Sequence, residues 1–223
     1  DDLPELGGET PLETALSEGK EIGYAGFELG NKFAKDGPGL KAQLDAYQLA
    51  CVSGWYSGFL AELEHGQDNA QSVAAEISRC KAHMEKLQYN GVKVVVYGEC
   101  AGTIQGQIDT PLAKRPQFAN YALWKAYAQR LNTFGAHLQK TYGITLAYHH
   151  HMGAYVESPQ DIDLLMQLTD PATVFLLFDT GHAYFGGAAD PNALLKKHAS
   201  RVVHVHCKDV RPALIAKARN DGW

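Results

Sequence analysis

No run of residues in this 223-residue chain is long and apolar enough to span a bilayer, so a membrane-embedded protein is not expected. The first residues, Asp1-Asp2-Leu3-Pro4-Glu5, lack the basic and apolar regions of a secretory signal, and a cytoplasmic location is the expectation. Cysteine is scarce: Cys51, Cys80, Cys100 and Cys207 form no CxxC pair, which excludes a zinc ribbon or disulfide framework and fits reduced thiols. There is no basic excess, since 20 Lys and Arg against 25 Asp and Glu give a net charge of -5. That removes the electrostatic footprint of a nucleic-acid binder. Without a GxSxG elbow, Ser-His-Asp hydrolysis has no support, and without a glycine-rich phosphate loop a nucleotide-binding sheet has little. Repeats, low-complexity segments and linkers are missing too, so residues 1–223 read as a single domain, and with 45% hydrophobic residues it can bury one core. Small, soluble ligands remain.

What is present is an alternation of short β-branched or apolar runs with longer amphipathic stretches, the pattern of repeated βα units around a parallel sheet. Six strands are expected: Ile22 to Leu29, Leu49 to Gly54, Val92 to Gly98, Ile144 to His150, Val174 to Asp179 and Val202 to His206. Runs such as Val174-Phe175-Leu176-Leu177-Phe178 are nearly continuously apolar, as strands covered on both faces must be. Thr10-Pro11-Leu12-Glu13 and Ser158-Pro159-Gln160-Asp161 each combine a hydroxyl N-cap, a proline at the first helical position and an acid at the third. Asp190-Pro191 repeats the cap and the proline. Longer helices are expected over about Asp68 to Tyr89 and Pro116 to Tyr142, ended by Gly91 and Gly143. A full barrel needs eight strands, yet the chain opens on a helix and stops at Trp223 without a closing βα unit. The expectation is therefore an α/β fold, an incomplete (β/α)8 TIM barrel whose first and last strands are missing from the chain. An open doubly wound sheet is the alternative.

Active sites of barrels and open α/β sheets form at the carboxyl ends of strands, so polar residues there carry most weight. Six of the ten histidines fall on three such ends: Tyr148-His149-His150-His151-Met152, Asp179-Thr180-Gly181-His182 and His204-Val205-His206-Cys207-Lys208. Alternation along a strand puts His149 and His151 on one face, and His204, His206 and Lys208 on one face. Imidazole with carboxylate suits Mn, Co, Fe or Zn and leaves positions open for substrate oxygens. The competing reading has some of these histidines donating to backbone carbonyls or filling the barrel. Asp179 is the more specific signal, because an acid directly after a buried apolar strand is costly unless a metal or partner holds it. His149, His151 and Lys208 are the candidate acids and bases, since imidazole titrates near neutrality and lysine can be brought toward it. Glu28 and Glu99 are candidate substrate contacts, with structural hydrogen bonding as the alternative. Trp55 and Tyr56 are placed to wall a sugar-sized pocket or simply to pack, and His182 and His204 complete the expected substrate contacts.

Taken together, Ala25-Gly26-Phe27-Glu28-Leu29-Gly30-Asn31, Ser53-Gly54-Trp55-Tyr56-Ser57-Gly58, the stretch Leu146 to Gly153, Asp179-Thr180-Gly181-His182 and the stretch His204 to Pro212 resemble the inosose dehydratases. These belong to the xylose-isomerase-like barrel superfamily. The resemblance runs over almost the whole chain, and the histidine triplet and the HVHxKDVRP stretch are its more specific parts. It implies a TIM barrel, a Mn or Co ion and a link to glutathione. The implied reaction is dehydration of 2-keto-myo-inositol (scyllo-inosose) through an enediolate, in inositol catabolism. In the superfamily a metal is held by Glu, Asp, His and Glu from four successive strands. Asp179 matches the second and His206 the third; His149 stands where the first Glu is expected, and the last Glu would lie beyond Trp223. The implied partner is a small cyclitol or sugar, with no nucleic acid and no membrane, and assembly as a homo-oligomer is left open. Two other functions compete: a ketose isomerase or epimerase using the same enediolate, and a non-catalytic metal- or polyol-binding barrel. The missing first glutamate argues against a standard epimerase, whose two glutamates usually shuttle the proton.

Overall fold

Strand and helix alternate along the chain in a computed structural model that describes residues 8–222, so the outermost residues of the expected domain lie outside it. The order is α1 (Leu12–Glu21), β1 (Gly26–Leu29), α2 (Gly37–Asp45), β2 (Ala50–Gly58), α3 (Asn69–Tyr89), β3 (Val94–Glu99), α4 (Tyr121–Tyr142) and β4 (Thr145–His149). It continues with α5 (Pro159–Leu168), β5 (Val174–Asp179), α6 (Thr180–Phe185), α7 (Pro191–His198), β6 (Val202–His206) and α8 (Pro212–Asp221). Local chemistry sets most of these ends. Asp68 and Ser158 each close a capping box, with Gln71 on α3 and Asp161 on α5, and Asp190 accepts from Asn192 N to start α7. Gly143 ends α4 at φ 67°, the left-handed conformation that costs glycine nothing.

Several boundaries differ from the sequence expectation, each for a visible reason. Thr10 does not cap α1. Pro11 stays extended at ψ 143° and takes the N-cap position itself, which moves Thr10 one residue too far out, and the Thr10 carbonyl accepts from Lys32 Nζ instead. α4 starts at Tyr121, not Pro116, because Asn120 caps it by accepting from Leu123 N and Phe118 turns in to stack on Tyr155. β1 begins at Gly26, since Ile22 still ends α1 and Gly23 turns the chain at φ 92°. β2 runs on to Gly58 because Trp55 to Gly58 pair with Val96 to Glu99. The short helices α2, α6 and α8 were not foreseen from the sequence.

The six strands form one sheet in the order β1-β2-β3-β4-β5-β6, all neighbours parallel. A doubly wound sheet would reverse its order partway; this sequential order is that of a barrel wall, here incomplete. Outward-facing Val95, Tyr97, Leu146, Tyr148, Leu176 and Phe178 pack in the main core with Leu131, Phe134 and Leu138 of α4. Inward-facing Val96, Ala147 and Leu177 form a separate cluster with Trp55. Among the described residues no helix is long and apolar enough to cross a membrane.

Candidate active site

Parallel register carries the inward face from strand to strand. Gly98 pairs with His149, His149 with Leu177, and Leu177 with His204. One pleat further toward the carboxyl ends, Asp179 pairs with His206. The apolar layer of Val96, Ala147 and Leu177 therefore supports a polar layer directly above it. In that layer His149 Nε2 stands 3.4 Å from Asp179 Oδ2, and His206 Nδ1 stands 3.6 Å from the same oxygen. Lys208 Nζ contacts this carboxylate too. His149 has further ring neighbours in His206 at 5.1 Å, His182 at 5.3 Å and His151 at 5.4 Å between centroids. Those of His151 and His182 are 3.8 Å apart. Opposite, Trp55 meets His149 edge-on at 5.4 Å; its indole crosses Gly98, where an added Cβ would fall 2.1 Å from the ring.

Asp179 also has a local role, because it caps α6 by accepting from His182 N at 2.9 Å. The strand end, the cap and the site thus share one carboxylate. Its other neighbour is His150, which points to the helix side and accepts from Asp179 N at 3.2 Å through Nε2. Glu28 joins from β1: its Oε2 accepts from Ser53 Oγ at 2.5 Å and faces His204 Nε2 at 3.2 Å and His206 Nε2 at 3.4 Å.

Burial and charge set the protonation pattern. Burial works against ionised Asp179, but the imidazoles of His149 and His206 close to its carboxylate outweigh it and hold the carboxyl far below its usual range. The same contest at Glu28, with His204, His206 and Ser53 as donors, ends the same way. Burial disfavours a charged His206, yet Asp179 and Glu28 together raise its pKa to about 9. His149 and His182 go down because burial penalises the imidazolium, and His151 falls to about 4 by burial and then by the charge of His149.

The structure brings together His149, His151, His182, Asp179, His204, His206, Lys208, Glu28 and Trp55. Glu99 does not join them. The end of β3 turns its carboxylate to the helix side, 1% exposed, where it accepts from Leu60 N, Ala61 N and Ala101 N and from the Tyr97 and Tyr127 hydroxyls. Buried there among five protein donors, it faces away from the inner polar layer, so its expected contact is replaced by a structural role. Tyr56 likewise packs outward, with its hydroxyl on buried Glu76. Sequence reasoning missed Ser53, which faces inward beside Glu28, and Met152, whose carbonyl lies 2.7 Å from His151 Nδ1. The only signal for Ser53 was its parity with Trp55 along β2.

Among the described residues, two sets of donors lie close enough to hold an ion: His149, Asp179 and His206, and Glu28, His204 and His206. In the first set His206 Nδ1 is buried without a hydrogen-bond partner, and two imidazoles with one carboxylate suit a divalent transition metal. These residues fit such an ion. Beside them opens a cleft of about 290 Å³ walled by Met152, His182, Phe185, Lys208, Val210 and Leu214.

A profile of the xylose isomerase-like TIM barrel family matches residues 16–221. Among curated proteins the chain is 42% identical over 219 residues to the rhizopine catabolism protein MocC of Rhizobium meliloti, across 98% of this chain and 64% of that protein. It is 39% identical over 221 residues to an inosose dehydratase of Clostridium beijerinckii, and 40% over 222 residues to that of Geobacillus thermodenitrificans. Both alignments span 99% of this chain and 71% of the relative. Among solved structures, the IOLI protein with a bound zinc atom superposes with a TM-score of 0.64 at 16% identity, over 91% of this chain and 68% of that one. An L-ribulose 3-epimerase gives 0.66 at 16% identity, over 89% and 64%.

Proposed function

The chain belongs to the xylose isomerase-like TIM barrel family and, within it, to the inosose dehydratases, and from that premise we propose that it removes water from 2-keto-myo-inositol in the cytoplasm. The observation that carries this reading is the convergence of His149, His206 and Lys208 on the single buried carboxylate of Asp179. When held by Asp179, His206 and His149, a divalent ion such as Mn or Co supplies Lewis-acid polarisation of the ketone.

His151 is the base in this scheme. A carbonyl only accepts, so the 2.7 Å contact with Met152 O puts the hydrogen on Nδ1 and the lone pair on Nε2. A pKa of about 4 keeps that imidazole neutral at physiological pH. It takes the proton α to the ketone, and the C–H electron pair moves onto the ketone oxygen as an enediolate. The pair then returns to form the C=C bond and expels the β-hydroxyl. Lys208, held over the site by Asp179, gives the hydroxyl a proton so that it leaves as water. In this scheme the indole of Trp55, edge-on to His149, offers the face on which the C–H side of a cyclitol would stack. His182 and His204 line the remaining polar edges.

The test is an ultraviolet assay of scyllo-inosose with added Mn, with and without glutathione, because elimination gives a conjugated product. The expected result is a rise in absorbance that Asp179→Asn abolishes while far-UV circular dichroism stays native. A new sugar without that absorbance would replace dehydration by isomerisation, and ligand-induced stabilisation without turnover would make this a binding barrel.

A further inference from the structure

Glu28 sits on β1 and His206 on β6, the two ends of the sheet order, yet their side chains meet inside the barrel. A carboxylate only accepts, so each of its three neighbours must present a donor to it. Ser53 offers its hydroxyl at 2.5 Å, His204 its Nε2 at 3.2 Å, and His206 its Nε2 at 3.3 Å to Oε1. Whatever the charge of His206, its Nε2 therefore carries hydrogen. The nitrogen left to face Asp179 and His149 is Nδ1, which is buried and has no hydrogen-bond partner.

We propose that Glu28 is a positioning residue: it fixes the tautomer and ring orientation of His206, so that Nδ1 completes a divalent-cation site with Asp179 and His149. The proposal rests on the reading of those three residues as the cation site. Carboxylates that orient a metal-bound imidazole in this way alter affinity about 10- to 100-fold when removed. Ser53 holds the carboxylate in turn, which gives the hydroxyl missed in the sequence a function.

Two measurements separate the proposal from the reading beneath it. Nitrogen-15 NMR of the ion-free protein at a pH above about 9, where His206 is neutral, reports which ring nitrogen carries hydrogen, and calorimetry with Mn reports affinity. Glu28→Gln is expected to redistribute hydrogen between Nε2 and Nδ1 and to weaken Mn binding about 10- to 100-fold, with native circular dichroism. Glu28→Asp, which keeps the charge, is expected to recover part of the affinity and covers the case in which the glutamine variant does not fold. If both variants bind Mn within about twofold of the wild type while Asp179→Asn loses it, Glu28 is not a positioning residue and the cation site stands. If Asp179→Asn binds Mn as the wild type does, the site itself is misplaced and the positioning proposal falls with it.

Discussion

Glu28 and Glu99 look alike in sequence, each an acid in or just after an apolar run, and the fold sends them to opposite faces of the sheet. Parity along the strand separates them, because Val95, Tyr97 and Glu99 alternate outward while Val96 and Gly98 face inward. The histidines were more legible, since three of them in a row must put one or two on the inner face whatever the register. His149 stands where the resemblance to the superfamily implies a glutamate. Its Nε2 lies 3.4 Å from Asp179 Oδ2, so a carboxylate there sets two like charges against each other until a cation joins them. His149→Glu is expected to lower the melting temperature of the ion-free protein and to raise Mn affinity. Turnover should drop, because a more neutralised ion polarises the ketone less. Melting with and without Mn, together with the dehydration assay, checks all three; unchanged affinity and unchanged turnover would place His149 outside the ion's reach.

At the scale of elements, helix starts with a complete local cap were readable, and the failures share a cause. α2 and α8 show little apolar periodicity and α6 is only 6 residues long, and the end of β2 carries Gly54, Ser57 and Gly58, which read as loop until β3 pairs with them. The contact of α4 with the entry to β5 is another tertiary matter. A Cβ on Gly135 would fall 2.3 Å from the Thr173 carbonyl oxygen. In an exposed helix interior, replacing glycine by alanine gains about 1 kcal/mol, whereas forcing atoms into a packed contact costs about 1–3 kcal/mol. The contact is with backbone, which cannot swing away, so the cost should win. Gly135→Ala is expected to lower the urea midpoint with an unchanged m-value, and a variant as stable as the wild type, or more so, would show that α4 and β5 do not approach so closely.

Over the whole molecule, stability carries a pH signature that is separable from the site. His83 on α3 packs beside Tyr56 with its Nε2 buried and unpartnered. Burial, and then the charge of Lys86, pushes its pKa from 6.5 to about 4. The unfolded chain takes a proton that the folded one refuses, so this contribution is complete above about 6.5 and is lost as the pH falls toward about 4. Glu99, raised by burial to about 7, acts with the opposite sign in part of that window, but it is common to wild type and variant and cancels in the comparison. His83→Gln is expected to lose fewer degrees of melting temperature than the wild type between pH 7.5 and pH 5; equal losses would show His83 to be solvated. By itself the sequence determined the alternation of six strands with helices, the caps at Ser158 and Asp190, and the crowding of histidines on three strand ends. Hydrophobic period and capping act over a few residues and need no partner. The tertiary structure alone decided that β1 and β6 meet through Glu28 and His206, that Glu99 turns away, and that one oxygen of Asp179 faces His149, His206 and Lys208. Those facts depend on register and on the curl of the sheet, which bring together residues far apart in the chain.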